Sequence, residues 1–231
     1  MGFQEKQGRI VPTETRFLNR TDAGRQLAEQ LLPYANQSDV LVLALPRGGV
    51  PVGFEIARRL LLPLDVFVVR KLGVPGHEEF AFGAIATSGI RVLNDEVLAS
   101  LPLSLAVINV IAEREQKELK RREQAYRDNK PPLQIKNHTI ILVDDGIATG
   151  ATMRAAISAV RQQSPKNIIA AIPVGPISVY QDLHEADKVI CLLTPDPFYS
   201  VGLWYEQFNQ TSDDEVRDLL KKAENFIEAP A

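Results

Sequence analysis

A single cysteine, Cys191, stands in the 231 residues, so no internal disulfide can form. It lies in the apolar run 189–193 and reads as a small buried hydrophobe. No stretch approaches the roughly 20 consecutive apolar residues that cross a bilayer, so no membrane span is expected. Residues 1–16 carry no apolar core of a signal peptide, which predicts a cytoplasmic protein. Four tripeptides fit the glycosylation pattern, beginning at Asn19, Asn36, Asn137 and Asn209; without a secretion signal they read as chance. Basic charge is not in excess. Lys and Arg number 26 against 29 Asp and Glu, a net charge of -3, which argues against nucleic acid as the main partner. A local anion pocket stays open, because it uses local charge and backbone dipoles. Repeats and low-complexity tracts are lacking too.

What is there is alternation. Apolar runs at 40–45, 64–69, 139–143, 167–172 and 188–193 predict strands covered on both faces. Apolar residues at helical spacing predict helices at 51–62, 151–163 and 177–185. Strand, helix, parallel strand is the pattern of an open α/β sheet. Thr21 is the expected N-cap of a helix running to about Pro33. Residues 80–93 predict an antiparallel hairpin outside the main sheet. Residues 103–128 predict a long helix of alternating charge, ended by Lys130-Pro131-Pro132. Ser212 and Glu215 form a capping set for a last helix over 212–227.

The segment 140–152 is the most informative. A buried strand ends in Asp144 and Asp145; a loop of small and hydroxyl residues follows, and a helix starts near Ala151. Ligands of open α/β sheets bind beyond the carboxyl ends of strands. Backbone N–H groups at a helix start, with the Thr149 and Thr152 hydroxyls, make a cradle for phosphate. Gly146 and Gly150 allow close backbone approach. Two adjacent carboxylates repel that phosphate but suit the vicinal hydroxyls of a ribose. The segment therefore predicts a ribose 5-phosphate site. A Walker A loop is excluded, since no Lys follows a suitable glycine, and Gly48-Gly49 with Gly53 does not give a dinucleotide fingerprint.

Four hydrophobics, two acids, a spacer and Thr-Gly-x-Thr resemble the PRPP-binding motif of the type I phosphoribosyltransferases (PRPP is phosphoribosyl pyrophosphate). The resemblance covers most of the chain from Val40 to Phe208, and uncharacterised predicted members are the nearest in layout. It implies an α/β fold, an open, mainly parallel sheet flanked by helices, with a small hood. Residues 1–231 would form one domain, the hood coming from flanking and inserted segments. It also implies Mg²⁺-dependent transfer of a 5-phosphoribosyl group from PRPP to a nucleobase or related nitrogen acceptor, with release of pyrophosphate. Asp144 and Asp145 would hold the ribose hydroxyls, and Ala148, Thr149, Gly150, Ala151 and Thr152 the 5-phosphate, with Gly146 also substrate-binding. Magnesium would sit mainly on PRPP and water, with Asp144 in its outer shell.

Pro46-Arg47-Gly48-Gly49 follows the first strand and matches the pyrophosphate loop of that family. Arg70 and Lys71 end the second strand, where an Arg-Lys pair reaches pyrophosphate in several members; Arg47 and Lys71 are the expected catalytic cations. The loop 72–82 would be a lid, with His77 or Glu78 either a proton carrier or a polar tip. Trp204 and Tyr205, in an aromatic tail, loosely resemble the base-binding segment of the 6-oxopurine enzymes, although Trp204 replaces an acid and Ala148 an Asp. A homodimer is compatible with this reading. The rival is a non-catalytic PRPP- or nucleotide-binding regulator; a ribose-phosphate hydrolase or phosphorylase would not need two pyrophosphate-binding elements.

Overall fold

A computed structural model describes residues 16–101, 103–128 and 130–226. Five strands form one parallel sheet: β1 (Val40–Ala44), β2 (Leu64–Val66), β6 (Thr139–Val143), β7 (Asn167–Val174) and β8 (Lys188–Leu193). Their order is β2-β1-β6-β7-β8, and every neighbouring pair is parallel. The apolar runs are continuous because both faces are covered. Val40, Val42, Ala44, Ile141 and Val143 enter one core with Leu27 of α1 (Arg20–Gln30), Ile56 of α2 (Gly49–Leu60) and Val216 of α7 (Asp213–Ala223). Leu41, Leu43, Ile140 and Leu142 enter the other core with Met153, Ile157 and Val160 of α5 (Ala151–Arg161). This is the expected α/β architecture.

A second, three-stranded antiparallel sheet holds β3 (Val69–Val74), β4 (His77–Ala86) and β5 (Ile90–Leu93). The strand expected over 64–69 is therefore two strands. Buried Thr87 ends the parallel stretch: its Oγ1 accepts the Val68 N–H at 2.9 Å, and its own N–H donates to the Val68 carbonyl at 2.8 Å. Arg70 and Lys71 consequently sit in the small sheet, opposite Ile85 and Ala84, not at the end of a main-sheet strand. The expected lid loop over 72–82 is mostly β-hairpin, turning at Pro75-Gly76, with His77 exposed beside the turn. Leu72, Phe82 and Ile85 pack this sheet on Ile108, Ile111 and Leu119 of α4 (Leu105–Arg127).

Other differences are local. Asn19, not Thr21, caps α1: its backbone is extended and its Oδ1 accepts the Asp22 N–H at 3.0 Å, which leaves Thr21 inside the helix. A short helix missed in the sequence, α3 (Asp95–Ala99), is capped by Asn94. Ser212 caps α7 as expected, accepting from the Glu215 N–H at 3.1 Å; the expected end at 227 lies outside the described residues. The helix expected over 177–185 is the shorter α6 (Ile177–Asp182). Cys191 is half-buried, because β8 is an edge strand, and burial pushes its thiol up to about 11. Among the described residues no helix is long and apolar enough to cross a membrane.

Candidate active site

The chain leaves β1 for β2 on one side of the sheet and later returns to place β6 on the other side. The carboxyl ends of β1 and β6 thus flank the topological switch point, where open sheets bind ligands. The register pairs Ala44 with Val143, and the Leu45 N–H donates to the Val143 carbonyl at 2.8 Å. The loop Pro46-Arg47-Gly48 and the acids Asp144-Asp145 are held side by side. The Pro46–Arg47 peptide is cis.

Past the acids, buried Ile147 pins the loop by donating its N–H to the Val174 carbonyl at 2.9 Å. Gly150 then starts α5 from the left-handed region (φ 71°), which a side chain would strain. Gly150 has no side chain to cap the helix start, and the Ala151 N–H donates only a long hydrogen bond, 3.5 Å, to Thr149 Oγ1. The positive end of the helix dipole at this start is chemically suited to an anion. Lys71, Asp144, residues 146–152 and Val201 line a cleft of about 230 Å³ there.

The two acids have different surroundings. Asp144 faces the cleft and its Oδ1 accepts the Asp145 N–H at 2.9 Å. Burial, then the charge of Asp145, push its carboxyl well above the usual carboxylate range. Asp145 accepts from Arg20 Nε at 2.7 Å, and both side chains are largely covered. The Asp145 carbonyl accepts the Tyr205 hydroxyl at 2.6 Å. Arg20 was not legible in the sequence: it lies 125 positions from Asp145 in an ordinary amphipathic helix.

Because Asp144 binds its proton more tightly in the folded chain, its contribution to stability is complete below the usual carboxylate range. That contribution is lost as pH rises through the folded value. Asp144→Asn is expected to match wild type in thermal melts near pH 4 and to melt higher at pH 8. In a chain of this size each 1 kcal/mol gained moves Tm by about 2–4 °C. Melting temperatures that still coincide at pH 8, or a variant that melts lower there, would contradict the burial argument.

The remaining predicted residues divide. Successive strand residues point to opposite faces. Lys71 therefore lines the cleft at the start of α5, while Arg70 turns to α4 and pairs with Glu115 at 2.6 Å. That carboxylate also accepts from Arg114 at 3.0 Å. Arg70 and Lys71 also line one further cleft together, with Gly73, Arg114 and Glu115. Arg47 is half-exposed, 3.9 Å from Asp213, whose Oδ1 accepts the Tyr126 hydroxyl at 2.6 Å. Burial, then this bond, push that hydroxyl up to about 12. Trp204 and Tyr205 are 8% and 4% exposed, so neither offers an open platform to a base. Tyr205 lies between Phe17 and Phe208, with ring centroids 5.4 and 5.0 Å away.

A parallel sheet thus brings a helix start without a side-chain cap, an acid pair and a lysine to its switch point. The chain belongs to the phosphoribosyl transferase domain family, whose model matches residues 15–203. It is 46% identical over 217 residues to a Mycobacterium tuberculosis protein provisionally named a phosphoribosyl transferase, alike in strains CDC 1551 and H37Rv. That match covers 93% of this chain and 49% of the relative, so the chain spans about half the length of these relatives. Among solved structures it is similar to the protein TT1426 from Thermus thermophilus: TM-score 0.80, 39% identity, covering 90% of this chain and 98% of that one.

Proposed function

We propose that the chain transfers a 5-phosphoribosyl group from PRPP to a nucleobase or related nitrogen acceptor, with release of pyrophosphate. The observation that carries this reading is the cleft where Lys71 and Asp144 meet the open start of α5. The 5-phosphate would accept hydrogen bonds from the backbone of Thr149–Thr152, helped by the two threonine hydroxyls. The acid pair would accept the ribose hydroxyls, Asp144 from within the cleft. Arg47 and Lys71 would face the pyrophosphate. The bond from C1′ to a pyrophosphate oxygen breaks and its electron pair leaves on pyrophosphate, a nitrogen lone pair closes onto C1′, and the proton displaced from that nitrogen passes to pyrophosphate or water. Charge grows on the leaving group as cationic character grows at C1′, so fixed cations there act on the transition state.

Among the described residues no group of three or more His, Cys, Asp or Glu side chains could cage a metal. A cleft with one facing carboxylate fits Mg²⁺ carried on substrate phosphates and water, with Asp144 in its outer shell. When bound, the ion would neutralise pyrophosphate charge. On this reading the small antiparallel sheet is the hood of a single domain that works in the cytoplasm, and a homodimer is compatible with it.

A panel of bases incubated with PRPP and Mg²⁺, read by pyrophosphate release, is expected to give turnover with at least one acceptor. Protein that binds PRPP but releases no pyrophosphate with any base in a broad panel would replace the enzyme with a PRPP-binding regulator.

A further inference from the structure

Arg20 has no part in the family motif, yet it reaches the acid pair. It is the first residue of α1, and its side chain is 12% exposed. Its Nε donates to Asp145 Oδ2 at 2.7 Å, and another guanidinium nitrogen donates to the Asn209 carbonyl at 2.6 Å. The guanidinium carbon stands 3.9 Å over the Phe208 ring. Asp145 is clamped at its main chain as well, by the Tyr205 hydroxyl. On its other side lies Gly48, where any Cβ would collide with Asp145 Oδ2. That oxygen is enclosed between the guanidinium and the glycine loop.

A covered ion pair is weak evidence of stabilisation, because desolvating two charges offsets most of their attraction. The location of this one says more. It ties three separate segments, α1, the stretch 205–209 and the acid loop, at the carboxylate nearest the Arg47–Gly49 loop. A planar guanidinium with several donors fixes orientation as well as charge.

We infer that Arg20 is a positioning residue: it seats Asp145 against Gly48, so that the acid pair and the glycine loop are held as one unit. The inference rests on the proposed role of the acid pair as the ribose site. Asp144 is then the carboxyl that meets the ligand within the cleft, and Asp145 keeps lone pairs outside the Arg20 contact for a second hydroxyl.

The test compares two probes by titration calorimetry. Inorganic phosphate needs only the cradle at the start of α5; ribose 5-phosphate needs the acids too. Arg20→Gln is expected to weaken ribose 5-phosphate about 10-fold, the scale of one charge-assisted hydrogen bond, and to leave phosphate within about twofold. Arg20→Lys keeps the charge without the planar fork; it should lose about threefold on ribose 5-phosphate and nothing on phosphate, and it carries the test alone if the glutamine variant does not fold. Wild-type affinity for ribose 5-phosphate in the folded variant overturns the inference. So does an equal loss on both probes, which would make Arg20 a fold contact only. Wild-type protein that does not bind ribose 5-phosphate removes the ribose reading itself, a result visible before any variant is made.

Discussion

Lys71→Ala is expected to lower kcat about 100-fold or more while changing the KM for PRPP far less. Lys71 lies on β3 and lines the cleft at the start of α5. On the proposed reading it meets pyrophosphate, whose charge grows only as the C1′–O bond breaks. A cation there binds the transition state more tightly than the ground state, so its loss falls on turnover. Removing one preorganised donor of this kind costs about 10²–10³ in rate. The substitution should spare the fold, since the side chain is exposed. Steady-state pyrophosphate release with the best acceptor, beside calorimetric binding of ribose 5-phosphate, checks the split. A rise in KM with kcat untouched would place Lys71 in ground-state binding only.

Adjacent glycines should respond in opposite ways. A Cβ at Gly48 meets the end of the Asp145 side chain, which can yield, but only by leaving Arg20. A Cβ at Gly49 meets the Val143 carbonyl at 2.6 Å and the Asp144 Cα at 3.0 Å, which are main chain in the middle of the sheet. Gly48→Ala is therefore expected to keep nearly the wild-type Tm and to lose PRPP turnover about 100-fold. Gly49→Ala should cost about 1–3 kcal/mol of stability, the usual scale of overpacking. Thermal melts and turnover measured on both variants decide the matter. Equal melting temperatures with equal loss of turnover would mean that the two positions do not differ as this packing requires.

The sequence announced the main sheet well because burial on both faces leaves a continuous apolar run. β6 and β8 fall where those runs lie, at Thr139–Val143 and Lys188–Leu193. The break between β2 and β3 could not be read from Val66-Phe67-Val68-Val69, which is uniformly strand-forming. It is set by Thr87, nineteen positions further on. The same distance effect hid the division of Arg70 from Lys71: their facing depends on which sheet carries them. The loop 144–152 was legible because one short segment supplies acids, glycines and hydroxyls together. The aromatic tail was ambiguous because Tyr205 has an apolar ring and a polar tip. Both a base platform and a packed wedge use those properties, and only the neighbours Phe17 and Phe208 decide between them.

The pairing of Ala44 with Val143 also sets an order of events for the growing chain. When β1, α2 and β2 have emerged from the ribosome, the Arg47–Gly49 loop exists without the wall against which it rests. The small sheet and α4 come next, so the strand bearing Lys71 is available before the acids are. β6 must then insert beside β1, a contact of long sequence separation and hence a slow one to close. A ligand that bridges both loops would lend its binding energy only to chains that have completed this step. Late intermediates, not early ones, are the species such a ligand would rescue.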